Sequence, residues 1–262
     1  MFRSLFTAAT GMQAQQLMVD VISNNLANVN TTGFKASRAE FQDLLYQQDR
    51  APGPESEIGQ YVPSGIQIGL GVKPVAIQKL FTQGDFINTG NQLDLVIQGD
   101  GFFQLSRPDG TIAYTKAGDF SLDQNGRIVD PDGYPLEPPI TIPTTATQIT
   151  VAFNGDVNIL VAGSTTPVLV GAIQLAKFIN PGGLQAIGKN LFLATQSSGD
   201  PQLGAPDALG FGDIAQGFLE NSNVNIVEEL ANLITAQRAF DMNSKAVQTC
   251  DQMLQTTAAM KA

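Results

Sequence analysis

The chain has 262 residues, a formal net charge of −10, one cysteine, and neither histidine nor tryptophan. Without histidine it lacks the usual general base, the usual zinc ligand and any Ser-His-Asp arrangement, and Cys250 alone excludes an internal disulfide and multi-cysteine metal sites. The acidic balance argues against binding nucleic acid or an anionic membrane surface, and favours a basic partner surface.

No run approaches the ~20 apolar residues needed to span a bilayer, so no membrane insertion is expected. At the N-terminus Arg3 stands alone, Gln13, Gln15 and Gln16 interrupt the apolar residues, and no small-residue cleavage site follows. That start does not read as a cleavable secretory signal, and implies either a cytoplasmic protein or export by a route that leaves the N-terminus intact.

From Ser4 to Asn28 only Gly11 breaks a helix-friendly composition. Phe2, Leu5, Ala9, Met12, Val19 and Leu26 fall on a 3-4 spacing, with Gln16 and Ser23 at the remaining seam positions, which makes an incomplete heptad stripe. Such a helix would be roughly 40 Å long. Spacing alone leaves open an ordinary amphipathic helix lying on a domain. Asn24, Asn25, Asn28 and Asn30 weaken the helix toward its end, because their side chains compete for backbone hydrogen bonds. Gly33 can take positive φ and suits the exit.

Ala36 to Tyr46 carries Phe41, Leu44, Leu45 and Tyr46 and is expected to hold a further turn of helix. The stretch from Gln47 to Pro74 is punctuated by Pro52, Pro54, Pro63 and Pro74 and by five glycines, which excludes helix. Its alternating Ile66, Ile68, Leu70 and Val72 read as a strand or β-ribbon arm, Ile66 to Ile77, covered by something else. From Leu80 to Thr195 the pattern is β throughout, with Gly-Asp, Pro-Asp-Gly and Asn-Gly turns; the clearest hairpin is Ile149–Phe153, Asn154-Gly155, Val157–Val161. The Gly-Asp-Phe units at Gly84, Gly99 and Gly118 look like one turn reused. Asn180 to Gly217 reads as loop-rich.

From Phe218 to Ala262 there is neither glycine nor proline. Asn225 with Glu228 makes a capping pair, and Ile226, Leu230, Leu233, Phe240, Val247 and Leu254 form a second 3-4 stripe, interrupted at Gln237, Ser244 and Asp251. Both terminal stripes are narrow, so packing must supply most of the helices' stability. Pairing them buries one seam and leaves Phe6, Leu17, Ile22, Val227, Ile234 and Met253 on other faces. Those residues need more neighbours, and further copies of the same helices could supply them. A head-to-tail contact between identical chains gives a ring or a helical filament.

Chemical motifs are weak. Gly210-Phe-Gly-Asp-Ile-Ala215 has the letters of a dinucleotide fingerprint but follows a loop, where that motif needs a βαβ unit. Asp123–Gly126 and Asp130–Gly133 lack the ligand pattern of an EF-hand and read as turns. Glu228 and Glu229 are adjacent and point to different helix faces. Cys250 reads as a small buried residue, and Lys35, Arg38 and Arg238 as solvated charges or inter-subunit ion pairs. No catalytic, cofactor or metal site is expected.

Ser23-Asn-Asn-Leu-Ala-Asn-Val-Asn-Thr-Thr-Gly-Phe-Lys35 resembles the N-terminal signature of bacterial flagellar rod and hook proteins. Phe178–Leu184, Gly188–Phe192, Gly217–Asn225, Gln237–Lys245 and Asp251–Leu254 are similar to that family's closing segment, with Phe240 where a tyrosine is expected. Leu44–Gln47, Pro63–Pro74 and Gln98–Gln104 most resemble its distal-rod branch.

The resemblance implies an α+β structural subunit. Its long N- and C-terminal helices pair as a coiled coil (1–34 with 220–262). They are joined by a connecting region with an extended β arm (35–75) to a mainly antiparallel β domain (76–219). It implies a homopolymer, a hollow drive shaft around an export channel that passes torque from motor to hook. Proximal rod proteins, hook protein, peptidoglycan-layer and outer-membrane ring proteins and the export apparatus are the implied partners. The implied location is the basal body from periplasm to outer membrane. The expected subunit-interface residues are Leu5, Met12, Val19, Asn24, Asn25, Leu26, Asn28, Thr32, Gly33, Phe34, Leu230, Leu233, Gln237, Arg238, Phe240, Asn243, Val247 and Leu254. A proximal rod or hook subunit remains the near alternative, and a β-domain enzyme or binding protein with helical tails the distant one.

Overall fold

The structure is a computed structural model that describes residues 2–50, 53–54, 61–62, 65–163 and 166–260. Residues 51–52, 55–60 and 63–64 of the Pro-Gly stretch, including Pro52 and Pro63, lie outside the described residues. Two long helices bracket the chain, α1 (Phe2–Ala27) and α2 (Ile226–Ala259), and the described segments between them are strands, turns and one short 3-10 helix. The chain divides into two compact units. One holds α1, Ser37–Gln78 and the segment from Asn225 onward; the other holds Asn28–Ala36 and Lys79–Val224. Of the connecting region expected at 35–75, residues 37–75 lie in the unit that holds the helices.

In the helical unit α1 and α2 run antiparallel. Ser4 Oγ lies 3.4 Å from Cys250 Sγ, and Asn25 Nδ2 donates to Glu229 Oε1 at 3.0 Å. Between these ends a Cβ on Gly11 would sit 2.9 Å from Asn243 Nδ2. Ala8, Ala14, Val21 and Ile22 of α1 and Ala236 and Cys250 of α2 are buried. Small residues, Ser4 and Gly11 of α1 and Cys250 of α2, stand on the contact line between the helices. Leu5, Met12, Val19 and Leu26 of the expected stripe are half-buried. Ile22, expected on an outer face, lies inside.

The same unit carries a two-stranded ribbon. Ser37–Asp43 pairs with Val72–Lys79, Tyr46–Arg50 with Ile66–Gly69, and Gly53–Pro54 with Tyr61–Val62. The register Tyr46↔Gly69 and Gln47↔Ile68 is antiparallel. The helix expected within Ala36 to Tyr46 is thus a strand. Its apolar residues are too few for a 3.6-residue stripe, and the partner strand satisfies its backbone. The arm expected at Ile66–Ile77 is present as strand. Within the chain Ile66, Ile68, Leu70, Val75 and Ile77 remain exposed, as do Leu45 and Tyr46.

The second unit is the mainly antiparallel β domain. Its largest sheet runs in the order Gln185–Gly188, Leu191–Leu193, Ile112–Thr115, Phe102–Ser106, Leu175–Lys177, Gln202–Gly204. A three-stranded sheet, Ala146–Val151, Asp156–Val161 and Val168–Ala172, closes the main core. Leu95, Ile97, Phe103, Leu105, Phe120, Leu136, Val157, Ile173, Leu175 and Ile214 fill that core. A second cluster packs Phe102, Tyr114, Phe178 and Phe192 edge to face.

The 149–161 hairpin forms with a wider turn than a two-residue Asn-Gly loop. Gly155 N donates to Ala152 O, Ala152 N to Asp156 O, and Gly155 sits at φ 87°. That is a turn closed by a glycine bulge. The region 180–217 contains four short strands rather than loops alone, among them Leu191–Leu193 and Asp213–Gln216. Runs of three or four residues are too short to show a period. Asp123–Gly126 and Asp130–Gly133 close as hydrogen-bonded turns.

Candidate assembly site

The signature stretch divides between the two units. Its first half ends α1, where Asn25 is 1 % exposed. Asn25 Nδ2 donates to Ser37 O at 2.8 Å, and its Oδ1 accepts from Ser37 N at 2.8 Å. The side-chain amide thus pairs with Ser37 as a neighbouring strand would, and its remaining N–H goes to Glu229. One residue ties the end of α1, the start of the ribbon and the first turn of α2. Asn225 caps that turn: its Oδ1 accepts from Val227 N at 3.1 Å and Glu228 N at 3.5 Å.

The second half, Asn28 to Ala36, belongs to the β unit. Thr31 N donates to Asn28 O and Phe34 N to Thr31 O, so the chain turns twice after the helix. Gly33 sits at φ 67° and donates to Glu220 O at 2.8 Å. A Cβ on Gly33 would lie 2.6 Å from Ala117 N, so both the conformation and the space exclude a side chain. Asn190 Nδ2 donates to Thr32 O at 2.9 Å. Lys189 and Asn190 both have φ 56°, and Asp132 holds the Lys189 ammonium at 2.9 Å. That contact gives the Gly188–Phe192 motif its place: it is a hairpin turn that grips the signature.

Lys35 overturns its reading as a solvated charge. Its side chain is wholly buried and forms an ion pair with Glu220, also wholly buried. Lys35 Nζ donates to Thr82 O at 2.7 Å as well, and Glu220 Oε1 accepts from Gly84 N at 2.9 Å. Lys79 Nζ donates to Lys35 O at 3.2 Å and stands 4.8 Å from the Phe34 ring centroid. Asn223 accepts from Ala36 N at 2.8 Å and donates to Leu80 O at 2.9 Å and Thr82 Oγ1 at 2.8 Å. Nearby, Lys116 Nζ donates to Gly99 O at 2.8 Å. Burial pulls the Lys116 pKa down to about 8, against the carboxylate of Glu220, which raises it.

Of the expected interface residues, Asn25, Gly33 and Phe34 are buried in these networks, and Asn28 and Thr32 are half-buried in the turn. Asn243 faces Gly11. Leu233, Val247 and Leu254 are half-buried; Asn24, Gln237 and Arg238 are exposed. Leu230 is 42 % and Phe240 38 % exposed. Sequence reasoning missed Ser4, Gly11, Lys35, Asn190, Glu220 and Asn223. The one available signal was Lys35 itself, a charge set between Phe34 and Ala36; its partner lies 185 residues away.

Three family models match the chain: "Flagella basal body rod protein" over residues 5–35, "Flagellar hook protein FlgE/F/G D1 domain" over 96–159, and "Flagellar basal body rod FlgEFG protein C-terminal" over 215–260. The chain is 52 % identical to the flagellar basal-body rod protein FlgG of Caulobacter vibrioides, over 99 % of both chains. It is 48 % identical to the one from Buchnera aphidicola of Acyrthosiphon pisum, over 97 % of this chain and 98 % of that one. For the Bacillus subtilis protein the identity is 40 % over 100 % of both. The chain belongs to the flagellar basal-body rod protein family.

Proposed function

We propose that this chain is a structural subunit of the flagellar distal rod and carries out no catalysis. It polymerises into a rigid hollow shaft that passes motor torque to the hook and surrounds the export channel. Full-length similarity to flagellar basal-body rod proteins carries this reading. Its neighbours along the axis are proximal rod proteins and the hook, and around it the peptidoglycan-layer and outer-membrane rings. The flagellar export apparatus delivers it to the segment between periplasm and outer membrane.

Assembly is driven by apolar surface that one chain leaves open. Phe6 is 71 % exposed, Val227 76 % and Ile234 51 %. Burial of such side chains is worth ~1.5–3 kcal/mol each. Leu5, Met12, Val19 and Leu26, with Leu230, Leu233, Gln237, Arg238, Phe240, Val247 and Leu254, meet neighbouring copies in this reading, and the ribbon's Ile66, Ile68, Val75 and Ile77 stiffen the wall. The intrachain contacts Ser4–Cys250, Gly11–Asn243 and Asn25–Glu229 step along α1 at intervals that are multiples of seven, which supports a heptad-type coiled coil.

Electron microscopy of the purified chain at high concentration tests the proposal. Straight hollow rods are the expected product. A monodisperse monomer at every concentration, with both terminal helices resistant to protease, would refute it.

A further inference from the structure

Apolar spacing alone does not align the two helices of the helical unit. Leu5, Met12, Val19 and Leu26 recur every seven residues on α1, and Leu233, Phe240, Val247 and Leu254 recur every seven on α2. Sliding one helix past the other by seven residues therefore brings apolar side chains to apolar side chains again. Repeats of this kind leave the register open unless polar or small residues single out one alignment. Three contacts of this pair share one alignment. Asn25 Nδ2 donates to Glu229 Oε1, a Cβ on Gly11 would meet Asn243 Nδ2, and Ser4 Oγ stands beside Cys250 Sγ.

A slip of seven residues in one direction sets Asn25 against Ala236 and carries Glu229 past the end of α1 at Ala27. It also sets Asn243 against Met18, where no glycine gives it room. A slip in the other direction brings Glu229 to Met18 and leaves Asn25 ahead of Ile226, the first residue of α2. Either way Asn25, only 1 % exposed, keeps its two bonds to Ser37 and loses the acceptor for its remaining N–H. A buried donor left without a partner costs far more than an apolar contact exchanged for a similar one.

We propose that the Asn25–Glu229 hydrogen bond, together with the fit of Asn243 over Gly11, selects the register of the α1–α2 pair, which the apolar stripes leave open. The register stands by itself, and only its consequence rests on the rod reading. The selected alignment places exposed Phe6 toward one end of the pair and exposed Val227 and Ile234 toward the other. Every copy then offers its neighbours the same staggered apolar surface.

The test uses the full chain with Ser4→Cys, which sets a thiol opposite the one native cysteine. Mild oxidation, of assembled rods and of the soluble chain, should bridge residues 4 and 250 within single chains. A non-reducing gel then shows a monomer, and mass spectrometry the linked peptides. Glu229→Leu is added next; it removes the acceptor and keeps a helix-forming side chain. The expected result is a bridging rate at least about threefold lower at unchanged helical circular dichroism, restored by Glu229→Gln, which keeps a side-chain oxygen. Cys250→Ser with Asn243→Cys or with Thr257→Cys reports the two slipped alignments, and one of them should bridge faster once Glu229→Leu is present.

No bridge in rods or soluble chain, a bridge formed only between chains, or a rate that Glu229→Leu leaves unchanged overturns the proposal. Should Glu229→Leu melt the helices, Gly11→Leu decides. Bridging that falls with Gly11→Leu and returns when Asn243→Ala is added supports the selected register. Bridging that does not fall, or does not return, overturns it. A soluble chain that bridges but forms no rods before Glu229 is changed keeps the register and refutes the rod reading instead.

Discussion

Lys35 and Glu220 show how much a single residue's environment changes its meaning. Breaking a buried ion pair by removing one partner leaves an uncompensated charge, at a cost of about 3–5 kcal/mol, while replacing both by apolar groups is often neutral. Lys35→Met alone should therefore destabilise the β unit by that amount, and adding Glu220→Leu should recover most of the loss; urea unfolding of the three chains checks both. Lys116 makes a separate prediction. Its folded pKa is held near 8, below the ordinary 10.5, by burial. Between those values the unfolded chain binds the extra proton, so stability rises as pH climbs from about 8 to about 10.5, by up to roughly 3 kcal/mol. Lys116→Met should abolish that rise and raise stability at pH 7, as read from unfolding midpoints across the range.

At the scale of elements, Asn225 starts α2 with a capping side chain followed by Glu228 and Glu229 in the first turn. Asn225→Ala removes an acceptor for two backbone donors and should cost about 1 kcal/mol of helix stability. Circular dichroism of the assembled protein on heating measures it. Both helices, the cap and the β character of the middle were legible in the sequence, because each rests on local composition and spacing. The contact line between the helices was not. Large apolar residues mark a stripe, but the contacts to α2 include the small Ser4 and Gly11, which no apolar spacing picks out. The short strand Ser37–Asp43 was misread for a related reason: its partner, Val72–Lys79, lies across the Pro-Gly stretch.

At the scale of the molecule, one chain leaves large apolar side chains on both helices and on the ribbon in solvent. In the proposed rod other subunits cover these faces, and charge on them should block assembly without unfolding the β unit. Val227→Asp with Ile234→Glu should give a soluble chain with the parental β core and no rods, by electron microscopy and by the unfolding profile of the β unit. Retained rods would remove these two residues from the assembly surface.

Local pattern by itself determined that this protein has helical ends around a β middle and that an Asn-rich stretch with Gly33 closes the first helix; the rod and hook type came from resemblance to a known family. Those features depend on neighbours within a few residues, and a linear text records such neighbours directly. Only the tertiary structure decided that the signature is split between two units, that Gly11 meets Asn243 of α2, and that Lys35 is buried on Glu220. Each of these joins residues that are far apart in the chain, and nothing in the spacing of side chains along a strand or helix encodes which distant partner will remove them from water.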